Sequence, residues 1–213
     1  MKTLIITGPS GSGKSYLSKK ISKLFNNTIV IKTDSYYKDN IFIKFLSIFQ
    51  YDIYDRPISF KKSEIKKTLR SLNNKDRLIS FYNYDFQRKQ SSKSEVTINF
   101  EGDNQLLILE GIFAHRLNLN YNETINIVCE EEKDICFKRR LKRDQLERGR
   151  DNREVNNKFN ISWYLFHENV QYYLNNFEVL SINPLDMVSY NQLVLYLHKQ
   201  KLTKKNNSFI SLS

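Results

Sequence analysis

Cysteine, proline, glycine and tryptophan are all scarce in this sequence, with two, three, six and one residues respectively among 213. Two cysteines are too few for a disulfide framework, and with three scattered histidines they show no spacing typical of a zinc site. No apolar run approaches the length of a membrane span, and residues 2–7 are typical of a β-strand rather than a signal peptide. We therefore expect a cytoplasmic protein without a membrane-spanning segment.

Acidic residues are fewer than basic ones: the sequence contains 23 Asp and Glu and 34 Lys and Arg, which gives a formal net charge of +11. Such an excess favours a polyanionic partner, such as nucleic acid, a phosphorylated substrate or ATP. It is equally typical of lysines spread over a solvated surface. Because no nucleic-acid recognition motif accompanies the charge, we do not expect nucleic acid as a partner.

Apolar material is sufficient for a core, since 40% of the residues are hydrophobic. The length predicts one domain, residues 1–200, followed by a flexible polar tail at 201–213. Predicted strands lie at 4–6, 28–32, 106–109 and 125–128, with a last short strand at 187–188. The first predicted helix begins after residue 14, the second at residue 63, with Ser63 as candidate N-cap, and the third at residue 133. Two later helices are predicted to end near residues 174 and 198.

Segments 78–83 and 96–100 predict a projecting β-hairpin within an insert at about 76–101. The alternation predicts a three-layer α/β fold with a mainly parallel sheet.

Residues 8–15, GPSGSGKS, match the phosphate-binding pattern G-x-x-x-x-G-K-[ST] between a predicted strand and a predicted helix. Glycines in such a loop let backbone N–H groups point at phosphate oxygens, and the helix that follows adds its positive end. Lys14 supplies a positive charge to the β- and γ-phosphates, and Ser15 offers a hydroxyl to Mg²⁺. The loop predicts a P-loop NTPase fold that binds ATP or GTP through Gly8, Ser10, Gly11, Ser12, Gly13, Lys14, Ser15 and Tyr16.

Two carboxylates follow predicted strands. Glu110 ends the apolar run at 106–109, at the sheet edge where ligands bind in such folds, so it is a candidate to order Mg²⁺ and its waters. The alternative is a solvated glutamate at a strand end. Asp34 follows the second strand, where a carboxylate can take the proton of an acceptor hydroxyl and aim its oxygen at the γ-phosphorus. The alternative is a helix N-cap.

From residue 3 to about residue 160 the sequence resembles the uridine/cytidine kinases within the phosphoribulokinase/uridine kinase group. The resemblance rests on the order and spacing of several motifs, and it implies a P-loop kinase with a helical lid, residues 148–160 approximately, that closes over ATP. The motifs are GPSGSGKS, Asp34-Ser35-Tyr36-Tyr37, Tyr54-Asp55-Arg56-Pro57, Tyr84-Asp85-Phe86, Glu110-Gly111, RRLKRD at 139–144 and ERGRD at 147–151.

The resemblance implies a role for each matching acceptor residue. Asp34 would be the catalytic base, with Tyr37 lining the site. Asp55 would hold the ribose hydroxyls. Tyr84 would contact the nucleobase from the hairpin, with Phe86 nearby.

The resemblance also implies that Arg140 and Arg143 reach the ribose and the phosphates, and that Arg148 and Arg150 contact ATP from the lid. The spacing supports a phosphate-binding role, because Arg140 and Arg143 share one helix face and guanidinium groups bind phosphate oxygens in pairs. We therefore expect Asp34, Lys14 and Arg143 to be the catalytic residues.

Two positions depart from the family's pattern. The histidine that usually follows the hairpin tyrosine is absent from residues 84–90, which contain Arg88, Lys89 and Gln90 instead, and Lys158 replaces the usual glutamine. The prediction is transfer of the γ-phosphate of ATP or GTP, with Mg²⁺, to the 5′-hydroxyl of a pyrimidine ribonucleoside, uridine or cytidine. One alternative is a related kinase for another nucleoside, a sugar phosphate or a pantothenate-like acceptor. Others are a non-catalytic nucleotide-binding protein and a nucleic-acid-binding protein explained by charge. A homo-oligomer also stays open.

Overall fold

The structure is a computed structural model that describes residues 1–25, 27–40, 42, 43, 45, 53, 56–100, 106–117 and 119–200. Its strands are β1 (Lys2–Thr7), β2 (Thr28–Lys32), β3 (Leu78–Asp85), β4 (Gln90–Thr97), β5 (Leu106–Glu110), β6 (Thr124–Cys129) and β7 (Val179–Ile182). Its α-helices in these ranges are α1 (Lys14–Leu24), α2 (Lys62–Asn73), α3 (Lys133–Arg148), α4 (Asn152–Asn176) and α5 (Met187–Lys199). Five strands form one parallel sheet in the order β2-β5-β1-β6-β7.

The central strand β1 supplies two cores, because successive side chains of a strand point to opposite faces of the sheet. Leu4 and Ile6 pack in one apolar cluster with side chains of α1 and α5. Ile5 packs in the other, with side chains of α2 and α4. All three are fully buried, and such burial contributes about 1.5–3 kcal/mol for each side chain. The predicted three-layer α/β fold with a parallel sheet is confirmed.

The hairpin is a separate antiparallel pair, in which β3 and β4 run from Leu78 opposite Thr97 to Asp85 opposite Gln90. The predicted position of its second strand, 96–100, was wrong. β4 begins earlier because backbone pairing with β3 holds it, while nearly all of its side chains are exposed and polar. A strand of this kind has no alternation of apolar and polar residues for a sequence pattern to detect.

Two local predictions were wrong. Met187 and Val188 do not form a strand, because Asp186 accepts hydrogen bonds from the N–H groups of Val188 and Ser189 and begins α5. The last strand of the sheet is β7. Ser63 is not the N-cap of α2, which begins one residue earlier, after Lys61.

Only residues 149–151 separate α3 from α4. Gly149 ends α3 in the left-handed conformation (φ 62°), and Asp151 caps α4 by accepting a hydrogen bond of 2.7 Å from the N–H of Glu154.

α4 is 25 residues long. Among the described residues, however, no helix combines the length and the apolar character needed to cross a membrane.

Candidate active site

The carboxyl ends of β2 and β5 and the loop after β1 open into a cavity of about 490 Å³. Parallel sheets of this kind bind ligands at this edge. The cavity walls also include the hairpin and the facing parts of α3 and α4. The predicted site residues that line it are Ser10, Gly11, Gly13, Lys14, Ser15, Tyr16, Asp34, Tyr37, Tyr84, Phe86, Glu110, Arg140, Arg143, Arg148 and Arg150. Gly8 and Ser12 are buried within the same phosphate loop, and Asp55 lies outside the described residues.

The phosphate loop wraps the start of α1. Gly11 and Gly13 have φ of 90° and 89°, a conformation that glycine adopts without steric cost. A Cβ on Gly11 would also overlap the carbonyl oxygen of Cys136, so α3 passes directly behind the loop. The Lys14 ammonium donates to the Pro9 carbonyl at 2.8 Å. Burial lowers the pKa of Lys14, and the charge of Asp34 opposes the shift.

Asp34 lies in a short turn, Thr33–Ser35, directly after β2. Its Oδ1 accepts a hydrogen bond of 3.1 Å from the N–H of Ile112, just beyond β5. The alternative in which Asp34 caps a helix is therefore wrong, since Lys32 is the N-cap of the turn. Desolvation raises the pKa of Asp34, and the positive charge of Lys14 opposes this most strongly. Asp34 and the phosphate loop face the same cavity.

Glu110 and Ser15 fit a magnesium site. Glu110 is only 3% exposed, and its Oε2 has no hydrogen-bond partner among the described residues. Burial raises the pKa of Glu110, and a hydrogen bond from Ser15 opposes that shift, so the two predicted ligands are adjacent. The described residues contain no cluster of three His, Cys, Asp or Glu that suits a metal. A cation here would therefore depend on phosphate oxygens and water, as Mg²⁺ commonly does.

The predicted arginines fall into two groups. Arg143 reaches the phosphate loop, donating to Ser10 Oγ at 3.2 Å, and the Arg148 guanidinium lies 4.0 Å from the centre of the Phe86 ring. Arg140, in contrast, is 3% exposed and donates to the Ser162 hydroxyl between α3 and α4. Among these three arginines, Arg143 is the one with a hydrogen bond to the phosphate loop.

An aromatic cluster lines another part of the cavity. Ring centres of Tyr37, Tyr84 and Phe86 are 5.1–5.7 Å apart, within the range of favourable aromatic contacts. Phe60 packs beneath Tyr37 at 4.5 Å. The rings are steeply tilted against one another, and together they give an aromatic wall to the cavity that Asp34 also lines.

Sequence reasoning missed two residues of the site. Arg139 donates to the Gly11 carbonyl at 3.1 Å and pairs with Glu131 at 3.0 Å. Its spacing of four from Arg143 places both on one helix face, a signal that the sequence did carry. Asp144 contacts four arginines. The sequence carried a signal here too, because Arg140 and Arg148 stand four residues before and four residues after Asp144 on the same helix. Only the contact with Arg150, beyond the end of that helix, was not predictable from spacing.

The comparisons with known proteins agree with this geometry. The Phosphoribulokinase / Uridine kinase family matches residues 4–179. The uridine kinase of Macrococcus caseolyticus is 34% identical over 154 residues, 70% of this chain and 72% of the relative. The uridine kinase of Staphylococcus aureus is 31% identical over 157 residues, 72% and 73% of the two chains.

Among solved structures, a possible uridine kinase from Bacillus stearothermophilus has a TM-score of 0.54 at 14% identity, covering 84% of this chain and 87% of its own. D-glycerate 3-kinase from Cryptococcus neoformans has a TM-score of 0.53 at 14% identity, covering 86% of each chain. At such identities these structures support the fold alone. The family match and the two relatives go further: the chain belongs to the phosphoribulokinase/uridine kinase family and is a nucleoside kinase-like phosphotransferase.

Proposed function

We propose that this protein transfers the γ-phosphate of ATP or GTP to the 5′-hydroxyl of uridine or cytidine. The observation that carries the proposal is a single cavity that combines the phosphate loop, the enclosed Asp34 carboxylate and the aromatic cluster. Phosphoryl transfer requires a donor and an acceptor hydroxyl to meet in line. Asp34 lines the cavity together with the residues suited to hold each of them, which supports this proposal.

The donor would bind along the phosphate loop. Backbone N–H groups and the positive end of α1 attract the phosphates. Lys14 would leave the Pro9 carbonyl for the β- and γ-phosphates, and Arg143, held next to Ser10, would stabilise charge on the γ-phosphoryl group. Ser15 and Glu110 would hold Mg²⁺, which when bound would supply positive charge to the phosphates. Residues 148–160 would close over the donor and exclude water, with Arg148 and Arg150 contacting it.

The acceptor would bind against Tyr37, Tyr84 and Phe86. Asp34 would accept the proton of the attacking hydroxyl, because desolvation raises its pKa toward that of a useful base, and the charges of Lys14 and Arg143 oppose that shift. By resemblance, Asp55 would hold the ribose hydroxyls. We expect the protein to act in the cytoplasm on this small molecule, without nucleic acid as a partner.

A second candidate is the same transfer to an anionic acceptor. The motivating observation is that Lys89 and Lys158, at the two positions that depart from the family's pattern, both line the cavity. Lys158 pairs with Glu154 at 2.7 Å. Lysines suit a carboxylate or phosphate group on the acceptor as well as a uracil carbonyl.

A panel of acceptors tests both candidates. ATP consumption is measured with uridine, cytidine, purine nucleosides, sugar phosphates and pantothenate, each with and without Mg²⁺. We expect the highest kcat/KM with uridine or cytidine. Lys89→Gln separates the candidates, because it would lower kcat/KM for an anionic acceptor far more than for a nucleoside. The absence of turnover stimulated by uridine or cytidine would overturn the first candidate.

A further inference from the structure

The Asp144 carboxylate is fully buried, and four arginine side chains surround it. Its Oδ1 accepts hydrogen bonds from Nε and Nη2 of Arg143 at 2.9 and 2.8 Å. Its Oδ2 accepts one from Arg150 at 2.8 Å. Arg148 approaches to 3.4 Å and Arg140 to 3.6 Å. We call these five residues the Asp144 cluster, in which one negative charge lies against four positive charges.

The cluster is directed at the active site. Besides Asp144, the Arg143 side chain contacts the phosphate loop, where it donates to Ser10 Oγ at 3.2 Å. The Arg148 side chain also contacts the hairpin, where its guanidinium lies over the Phe86 ring. Asp144 thus fixes the direction of guanidinium groups that line the cavity. In the described part of the chain, no other carboxylate forms ion pairs with four arginines.

The charge on Asp144 is what holds the cluster together. Burial alone would raise the pKa of Asp144, but the charges of Arg143, Arg148 and Arg140 outweigh it, so the pKa lies below 3.8. The carboxylate is therefore ionised at neutral pH. Without it, guanidinium groups a few ångströms apart in a poorly hydrated place would repel one another.

We propose that Asp144 is a positioning residue that keeps the phosphate-binding arginines in place before the donor arrives, and that the donor's phosphates then take over part of its hydrogen bonds. This proposal rests on the donor half of the proposed function. Each guanidinium has five N–H donors, and Asp144 accepts two from Arg143 and one from Arg150 at short distance. Arg143 also donates to Ser10 Oγ and Arg150 also approaches Glu154, and we expect donors beyond these contacts to meet phosphate oxygens.

Removing the charge of Asp144 should have opposite effects on polyphosphate binding and on turnover. Binding of a polyphosphate should tighten, because a competing anion is gone. Turnover should fall, because arginines that lose their orientation stabilise the transferring group less well. A purely structural residue would weaken both.

Asp144→Asn tests this division. Calorimetry measures the Kd of inorganic tripolyphosphate with Mg²⁺, which does not depend on the acceptor. We expect the Kd to fall about tenfold, the effect of roughly 1.4 kcal/mol, while kcat with uridine, or with whichever acceptor of the panel gives turnover, falls by about 10²-fold. Asp144→Glu, which keeps the charge, should restore the wild-type Kd more fully than kcat.

Glu95→Gln is the control. Glu95 pairs with Lys93 at 3.4 Å, both side chains are 51% exposed, and neither lines the cavity. Its loss should change the Kd and kcat by less than about threefold, as for an exposed ion pair. Weaker tripolyphosphate binding by folded Asp144→Asn, or an unchanged kcat, would overturn the proposal and leave the proposed function intact. Failure of the wild-type protein to bind either MgATP or tripolyphosphate would overturn both.

Folding of Asp144→Asn is at risk, because the variant leaves Arg140 buried without its counter-charge. The double variant Asp144→Asn/Arg140→Gln removes one buried charge of each sign and is compared with Arg140→Gln alone. The proposal predicts tighter tripolyphosphate binding and lower kcat in the double variant. Equal values in the two variants would contradict it.

Discussion

Replacing Gly111 by alanine should disable catalysis without removing any functional group. Gly111 follows β5, and a Cβ at this position would overlap Thr33 Oγ1 and lie 2.6 Å from Asp34 Oδ1. Ordinary van der Waals contact begins at 3.4 Å, so the Asp34 carboxylate must move by about 0.8 Å. That movement also breaks its hydrogen bond with the N–H of Ile112, now 3.1 Å long.

The size of the effect follows from this displacement. A misplacement of about 1 Å can lower a catalytic rate by about 10²-fold, and we expect a loss of that order in kcat for Gly111→Ala. The substitution should also lower the free energy of unfolding by about 1–3 kcal/mol, as overpacking does. The affinity for MgATP should change much less than kcat, because the phosphate loop is not displaced.

Ile65→Val provides a control for lost stability. Ile65 is fully buried on α2, away from the cavity lining, and the change costs about 0.5–1.5 kcal/mol. Turnover with uridine is measured by coupled ATP consumption, MgATP affinity by calorimetry and stability by thermal unfolding. If Gly111→Ala kept the kcat of Ile65→Val, the close approach of β5 to Asp34 would have no catalytic importance and the reasoning would be refuted.

Three further predictions test other parts of the site and fold. Asp34→Asn should lower kcat by at least about 10²-fold while calorimetry still detects MgATP binding. In the wild type, kcat/KM should fall on acidification toward a pKa above 3.8, since desolvation raises the pKa of Asp34 and the base must be ionised. Tyr84→Leu should raise the KM of the acceptor by about tenfold, through lost aromatic contact, and leave the KM of ATP unchanged in initial-rate measurements. His115 has its pKa lowered to about 4 by burial, so the unfolded chain binds a proton that the folded chain excludes. Stability should therefore fall by roughly 3 kcal/mol as the pH drops from 6.5 to 4, and thermal unfolding of His115→Gln should lack this loss.

Local patterns were enough to predict the sheet and the position of the candidate site. The apolar runs that became β1, β5 and β6 are short, fully buried and bounded by polar residues or glycine, as parallel strands are. Because the carboxyl ends of neighbouring parallel strands meet at one edge, the order of motifs alone indicated that Asp34 and Glu110 would lie near Lys14. The structure brings these three side chains to one cavity.

The features that sequence reasoning missed depend on contacts between distant segments. β4 has no apolar periodicity and exists because β3 pairs with it. The apolar pair Met187 and Val188 is typical of a short strand, but the N-cap at Asp186 makes it the first turn of α5. The cluster around Asp144 combines residues of α3 with Arg150 beyond its end, and the turn at Gly149 is what brings Arg150 to the carboxylate.

The hairpin and the end of α3 also contact each other. The Arg148 guanidinium lies over Phe86, and Gln87 of the hairpin turn donates to the Glu147 carbonyl at 2.7 Å. In the proposed function Phe86 would contact the acceptor and Arg148 would contact the donor. Binding of the two substrates should then be coupled through this contact, because a shift of either side chain would change the surface presented to the other substrate.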